Sequence, residues 1–183
     1  MPKIIAKKDD WIRLGYQLFS ENGTNGLVVE KMALKLKVNK SSFYWHFKTK
    51  TDFLNEIITY WVTSDTNKII SSIESKPPGK EQFEKLIEVV FKKDPYLDFI
   101  FFLKKHALKD KKTQSLIDEI DAQRIDYVKS KLINMGIPSE DAQLKAVLFY
   151  KFLIGYHELI RYKKQDKNYA AEVKKELNQF IPF

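Results

Sequence analysis

The sequence predicts an all-α protein, and three observations carry that prediction. Apolar residues recur at helical spacing in one segment after another. Only six glycines and six prolines interrupt 183 residues. Lys, Glu, Leu and Ile are abundant, a composition that leans towards helix. The expected architecture is three short N-terminal helices, one long linking helix, then a bundle of longer helices, about nine in all.

Asp9 and Asp10 open the first helix, where acidic side chains suit the positive end of the helix dipole. Trp11, Leu14, Leu18 and Phe19 then form an amphipathic stripe, and Gly23 after Asn22 stops it. A second helix fits residues 29–36, with Met32, Ala33 and Leu36 on one side. Asn39 is a good cap for a third helix, residues 40–45. Thr49 and Asp52 match a capping box, so a fourth helix starts there and runs through Phe53, Leu54, Ile57, Ile58 and Trp61 to about Glu74. Pro77-Pro78-Gly79 ends it. Later helices are expected at 80–93, 95–109, 112–135, 139–163 and 167–180, with joints at Asp94-Pro95, residues 134–139 and residues 165–168.

Composition narrows the class. A hydrophobic share of 44% allows a sizeable core and argues against global disorder. The absence of cysteine excludes disulfides, thiolate metal sites and cysteine nucleophiles, and fits a reducing cytoplasm. The longest apolar run, residues 99–103, is far short of the ~20 residues of a membrane helix. No apolar segment follows the N-terminal lysines as a signal peptide would require. A soluble cytoplasmic protein without a membrane partner is expected. Basic residues number 32 against 24 acidic, a net charge of +8. The excess is local: residues 1–55 carry ten basic and five acidic side chains, and residues 28–50 hold six lysines against Glu30 alone. A basic patch of this kind suits an acidic partner.

Within that patch lies "VNKSSFYWHFKTK", residues 38–50. Two short helices joined by a tight turn, the second loaded with Lys and Ser, describe a helix-turn-helix. At ~100° per residue, Lys40, Ser41, Tyr44 and Trp45 share an arc of roughly 140°, with Phe43 opposite its middle. Val38, Phe43 and Phe47 can therefore anchor the helix while the arc faces outwards. Such an arc makes sense in a DNA major groove. Lysine can donate to guanine, apolar surface can meet a thymine methyl, and hydroxyls can donate to phosphates. The bland alternatives stay open: Tyr44 and His46 as packing residues, Lys31 and Lys35 as a solvated face, and Lys3, Lys7 and Lys8 as either a DNA-reaching arm or a frayed terminus. With Arg13 the only arginine of the head, a modest bias towards A·T-rich DNA is expected.

The run Met32-Ala33-x-x-Leu36-Lys37-Val38-Asn39-x-x-Ser42-Phe43-Tyr44-Trp45-His46-Phe47-x-x-Lys50-x-x-Phe53-Leu54 resembles the signature of TetR-type (tetracycline-repressor-like) transcriptional regulators. Residues 11–23, with Gly15 at a usually small position, are similar to that family's opening helix. The resemblance implies a homodimer whose two heads each place a third helix in one half-site of a near-palindromic operator. Carried over by position, Lys40, Ser41 and Trp45 read bases, while Ser42, Tyr44, His46 and Lys50 grip phosphate or set the helix pose. It further implies a DNA-binding domain at residues 1–50 and a helical ligand-binding and dimerisation domain at 51–183. An unknown small-molecule effector would release the DNA, as in a repressor. Asp121-x-x-Arg124 and Tyr150-x-x-x-x-Gly155 resemble one type of C-terminal domain in that family.

Two positions depart from the pattern. Val28 stands where Ser or Thr is common, which removes a side-chain cap worth ~1 kcal/mol. Lys37 replaces the usual turn glycine, so it is expected at positive φ at a cost of order ~1 kcal/mol. Its ammonium is free to add a phosphate contact.

In the remainder, Phe91, Tyr96, Phe99 and Phe102 either line an effector pocket or form core. The apolar stripe of residues 142–160, with Phe149, Phe152, Tyr156 and Leu159, suits a four-helix dimer interface. His106 and His157 have no partner at i+4, so no metal site is expected, and no cofactor motif is present. No nucleophile elbow, phosphate-binding glycine loop or paired acidic motif supports an enzyme. The alternative to a specific regulator is a helical ligand-binding or interaction module whose head lacks operator specificity.

Overall fold

A computed structural model describes residues 6–91, 98–160 and 170–182, and every described element is helical. Helix α1 spans Lys8–Asn22. The Asp10 carboxylate accepts the Lys7 N–H at 2.9 Å, satisfying one of the donors a helix start leaves free. Gly23 ends the helix at φ 60°, and a Cβ there would lie 2.6 Å from the Phe102 ring. Backbone conformation and space both demand glycine at this point. A 3₁₀ turn, Gly23–Gly26, leads to α2, Val29–Leu36.

Helix α3 spans Ser41–His46, and α4 spans Lys50–Trp61. Lys40 is the cap residue of α3, and Asn39 just before it accepts the Ser41 N–H with its side-chain oxygen at 3.0 Å. Thr49 and Asp52 form the expected box, each side chain accepting the other's backbone N–H at 3.0 Å. A π-helical turn, Val62–Thr66, connects α4 to α5, Asn67–Glu74. The single helix expected from Thr49 to Glu74 is thus present with its ladder loosened midway. The Thr59 and Thr63 hydroxyls donate to the carbonyls of Asn55 and Thr59, at 2.9 and 2.8 Å, and such back-bonding perturbs the helix ladder.

The remaining helices are α6, Lys80–Val90; α7, Asp98–Ala107; α8, Lys111–Asn134; α9, Ser139–Ile160; and α10, Ala170–Leu177. With α4 and α5 counted as one run, the described residues contain nine α-helices. No described helix is long and apolar enough to cross a membrane.

The chain forms two compact units. The first takes residues up to Asn67 together with Asp98–Lys109, and the second takes Lys68–Leu97 and Asp110–Phe183. The first unit therefore extends past the division expected at residue 50. Helix α4 supplies Phe53 and Ile57 to the core beneath α1 and α3, and α7 supplies Phe99 and Leu103, all buried. Phe99 meets Tyr16, Phe19 and Trp61 with ring centroids 4.9–5.0 Å apart. Without those apolar faces the short N-terminal helices would lack a core of their own.

The second unit has its own core. Phe83, Leu86, Ile87 and Phe91 pack with Val128, Leu132, Ala146, Phe149 and Leu177. A polar knot sits at its edge. Lys131, 5% exposed, pairs with Glu74 and donates to the Gln82 oxygen at 3.1 Å. Tyr127 donates to Glu74 at 2.8 Å and Gln82 donates to it at 3.0 Å, so the buried polar groups are satisfied as a set.

Candidate nucleic-acid interface

Three residues fasten the short helix α3. Phe43 is wholly buried, with Trp11, Phe53 and Phe47 rings at centroid distances of 5.3, 5.0 and 5.1 Å. Phe47 is buried against Phe53 at 4.7 Å. Val38, on the turn before α3, is half-buried. Six helical residues have little stability alone, so this aromatic packing holds the helix in place.

The opposite arc is open. Lys40 and Ser41 are exposed, Tyr44 is 54% exposed and Trp45 is 78% exposed. A tryptophan left this far in water forgoes about 2 kcal/mol or more of burial. Lys50, at the start of α4, is also exposed. The surface thus offers ammonium and hydroxyl donors around an apolar ring, the set that a major groove and its flanking phosphates accept.

Two of the predicted phosphate positions are engaged within the head. The Ser42 hydroxyl oxygen is buried without a hydrogen-bond partner among the described residues, so Ser42 packs the helix and does not face out. The His46 ring nitrogen Nε2 lies 2.8 Å from the Ala6 carbonyl and serves as its donor. His46 thereby sets the pose of α3 against the segment that precedes α1. Beside it, His46, Phe47, Lys48, Asp52, Asn55, Glu56 and Thr59 line an open concavity of about 470 Å³. Lys8, which pairs with Glu56 at 2.6 Å, is anchored to the head. Lys3 lies outside the described residues.

Both departures from the pattern are visible. Val28 precedes α2 with no side-chain cap, and Lys37 follows it at φ 56°, ψ 40°. An ion pair that the sequence reading missed joins the helices: the Lys40 ammonium is 3.8 Å from Glu30. Its signal was present, since Glu30 is the lone acid among six lysines.

The other predicted site residues are dispersed. Phe99 is buried in the first unit, and Phe102, half-buried, packs there against Phe19 and Gly23. Phe91 is buried in the second unit among Phe149, Phe152 and Tyr156. Tyr96 lies outside the described residues. Phe91 and Phe99 are thus both buried side chains, one in each unit.

The predicted interface set divides as well. Phe149 is fully buried within its own chain; Phe152 and Tyr156 are half-buried, and Leu159 is 70% exposed. Among the exposed residues of α9, Leu144, Leu148, Gly155 and Leu159 fall within an arc of roughly 60° at helical spacing, with Asp141 and Lys151 beside them. On its inner side, Tyr150 donates to Asp121 of α8 at 2.6 Å. Burial is the main cause that pushes the Tyr150 hydroxyl up to about 12, with the Asp121 bond adding to it and Arg124 opposing it.

Comparison with known proteins meets this geometry at the same place. Residues 12–57 match the bacterial regulatory proteins of the tetR family. Over 101 residues the chain is 31% identical to YerO, an uncharacterized HTH-type transcriptional regulator of Bacillus subtilis (strain 168). That match takes in 53% of this chain and only about a third, 35%, of YerO. A Saccharomonospora viridis protein in complex with choline has the same fold, at TM-score 0.82 and 14% identity, covering 95% of this chain and 94% of that one. AibR, in complex with isovaleryl coenzyme A and operator DNA, superposes at TM-score 0.70 and 16% identity, covering 96% and 98%.

Proposed function

We propose, for a chain that belongs to the tetR family of bacterial regulatory proteins, that it is a ligand-responsive, sequence-specific DNA-binding transcriptional regulator acting as a homodimer. One observation carries the proposal. Helix α3 leaves Lys40, Ser41, Tyr44 and Trp45 in solvent while Phe43 and Phe47 root it in the core. In this reading α3 enters the major groove, Lys40, Ser41 and Trp45 meet base edges, and Tyr44 and Lys50 grip phosphates. Sequence is read by the first set and affinity supplied largely by the second.

A dimer through α9 belongs to the same reading. Leu144, Leu148 and Leu159 make an apolar face on α9, and a Cβ added at Gly155 meets nothing within 4 Å. A second copy pairing through this face gives two-fold symmetry, which a near-palindromic operator mirrors. The chains with choline and with isovaleryl coenzyme A show that this fold carries small-molecule ligands in other proteins. An effector here acts through its different affinity for the DNA-bound and free states, releasing DNA if the protein is a repressor.

Selection of duplexes from a randomised pool, followed by titration, tests this. The selected duplex binds at least ~10³-fold more tightly than a scrambled one at physiological salt. Equal affinity for both overturns the specific-regulator reading. It favours instead a helical binding module without operator specificity, a reading that the uncapped start of α2 at Val28 keeps in view.

A further inference from the structure

Lys37 is the one non-glycine residue at positive φ among the described residues. It sits where α2 ends. Its N–H donates to the Leu34 carbonyl at 3.1 Å, and the Val38 N–H donates to the Ala33 carbonyl at 3.0 Å. This bond pair is the Schellman closure of a helix, which glycine makes without penalty. A side chain in the left-handed region is strained where glycine is not. Both closing bonds are main-chain bonds, so the lysine side chain contributes nothing to them.

Nor does the side chain recover the strain elsewhere in the head. Lys37 is exposed, and its ammonium has no hydrogen bond or ion pair among the described residues. A cation does suit the carbonyl end of a helix, but Lys35 already occupies the last turn of α2. The dipole therefore gives no reason to place a second lysine at the single position that requires positive φ. Strain without an internal return is a mark of a contact made outside the chain.

We infer that Lys37 is a DNA-backbone contact residue, held at the turn between α2 and α3 to reach a phosphate beside the groove that α3 enters. The inference rests on the DNA-binding reading above. Lys37 lies three positions before Lys40, which stands at the start of α3, and both side chains are exposed. The two differ in consequence. Lys37 adds affinity for every duplex, whereas Lys40 discriminates among them.

The test uses the full-length protein, a selected duplex and a scrambled duplex of equal composition, with affinity measured from 50 to 200 mM salt. Lys37→Gly melts at a higher temperature than the wild type because the strain is gone. It nevertheless binds both duplexes more weakly, with a plot of log K against log salt shallower by about 0.9 per protomer. Lys37→Gln shows the same shallower slope without the gain in melting temperature, and Lys37→Arg restores the slope. A glycine variant with the wild-type slope on both duplexes overturns the inference and leaves Lys37 as a fold residue only. A loss confined to the selected duplex also overturns it, since that is a base contact. A wild type that binds neither duplex, or both alike, overturns the specific-regulator reading itself, and the wild-type titration alone reports that result.

Discussion

The Glu30 carboxylate lies 3.8 Å from the Lys40 ammonium, joining α2 to the first turn of the helix that faces outwards. Both side chains are more than half exposed, so the pair contributes little to folding, about 0–1 kcal/mol. Its effect falls on binding. Lys40 must leave Glu30 before it meets a base, and Glu30 repels any phosphate nearby. Glu30→Gln is expected to raise affinity for DNA several-fold at low salt, with melting temperature nearly unchanged. Gel-shift titration of both proteins on one duplex checks this.

The division of roles along α3 is testable by substitution. Tyr44→Phe and Lys50→Ala are expected to weaken binding to all duplexes alike, and Lys50→Ala to reduce the salt slope by about 0.9 per protomer. Trp45→Ala and Lys40→Ala are expected to change base preference instead, by ~1–3 kcal/mol at a contacted pair. Parallel selections with wild type and variants measure it; a common consensus for wild type and Trp45→Ala contradicts the base-reading role.

On α9 the exposed face is the one to disrupt. Leu148→Glu places a charge amid Leu144, Gly155 and Leu159, and is expected to shift the protein from dimer to monomer in sedimentation at micromolar concentration. Phe149→Ala, by contrast, is expected to lower stability by ~3–5 kcal/mol, because Phe149 is wholly inside its own chain.

Acid stability follows from Glu74. Hydrogen bonds from Lys131 and Tyr127 hold its carboxyl below the ordinary carboxylate range. A carboxylate lowered in the folded state stabilises it fully above the unfolded value, about pH 4.3. That contribution fades as pH falls through the depressed folded value. Glu74→Gln is expected to be less stable at pH 7 and to lose less stability between pH 5 and pH 3. Denaturant midpoints across that range provide the comparison.

Gly15 sits where α1 meets α4. A Cβ there would lie 2.4 Å from the Phe53 ring and 2.6 Å from Ile57. Gly15→Ala gains about 1 kcal/mol of helix propensity, but it overpacks two buried side chains at ~1–3 kcal/mol. Thermal melting is expected to show a net loss, and an unchanged or higher melting temperature would mean that α4 yields easily.

Local chemistry was legible because it acts over a few residues. Asn39 and Thr49-x-x-Asp52 bond to backbone donors two or three positions away, so spacing alone placed α3 and α4. Lys37 was legible through the resemblance, since the family pattern it departs from has a glycine at that turn, and its φ is positive. The π-turn at Val62–Thr66 was not legible, since it reflects a choice among carbonyl partners that an apolar stripe does not record. At His46 the sequence could not foresee the bond of its ring to Ala6, forty positions away, which only the fold brings within reach.

What the sequence determined by itself is the helical class, the helix-turn-helix and the two-faced α3, all set by short-range periodicity and capping. Tertiary structure alone decided which apolar face serves which purpose. Helix α9 carries apolar side chains on several sides, and periodicity cannot say that Phe149 turns inward while Leu144 and Leu159 remain outside. Likewise, only packing assigns Phe99 to the first unit and Phe91 to the second, though they are only eight positions apart. Hydrophobic attraction has no direction, so the side that a ring faces is settled by the surfaces the fold brings to it.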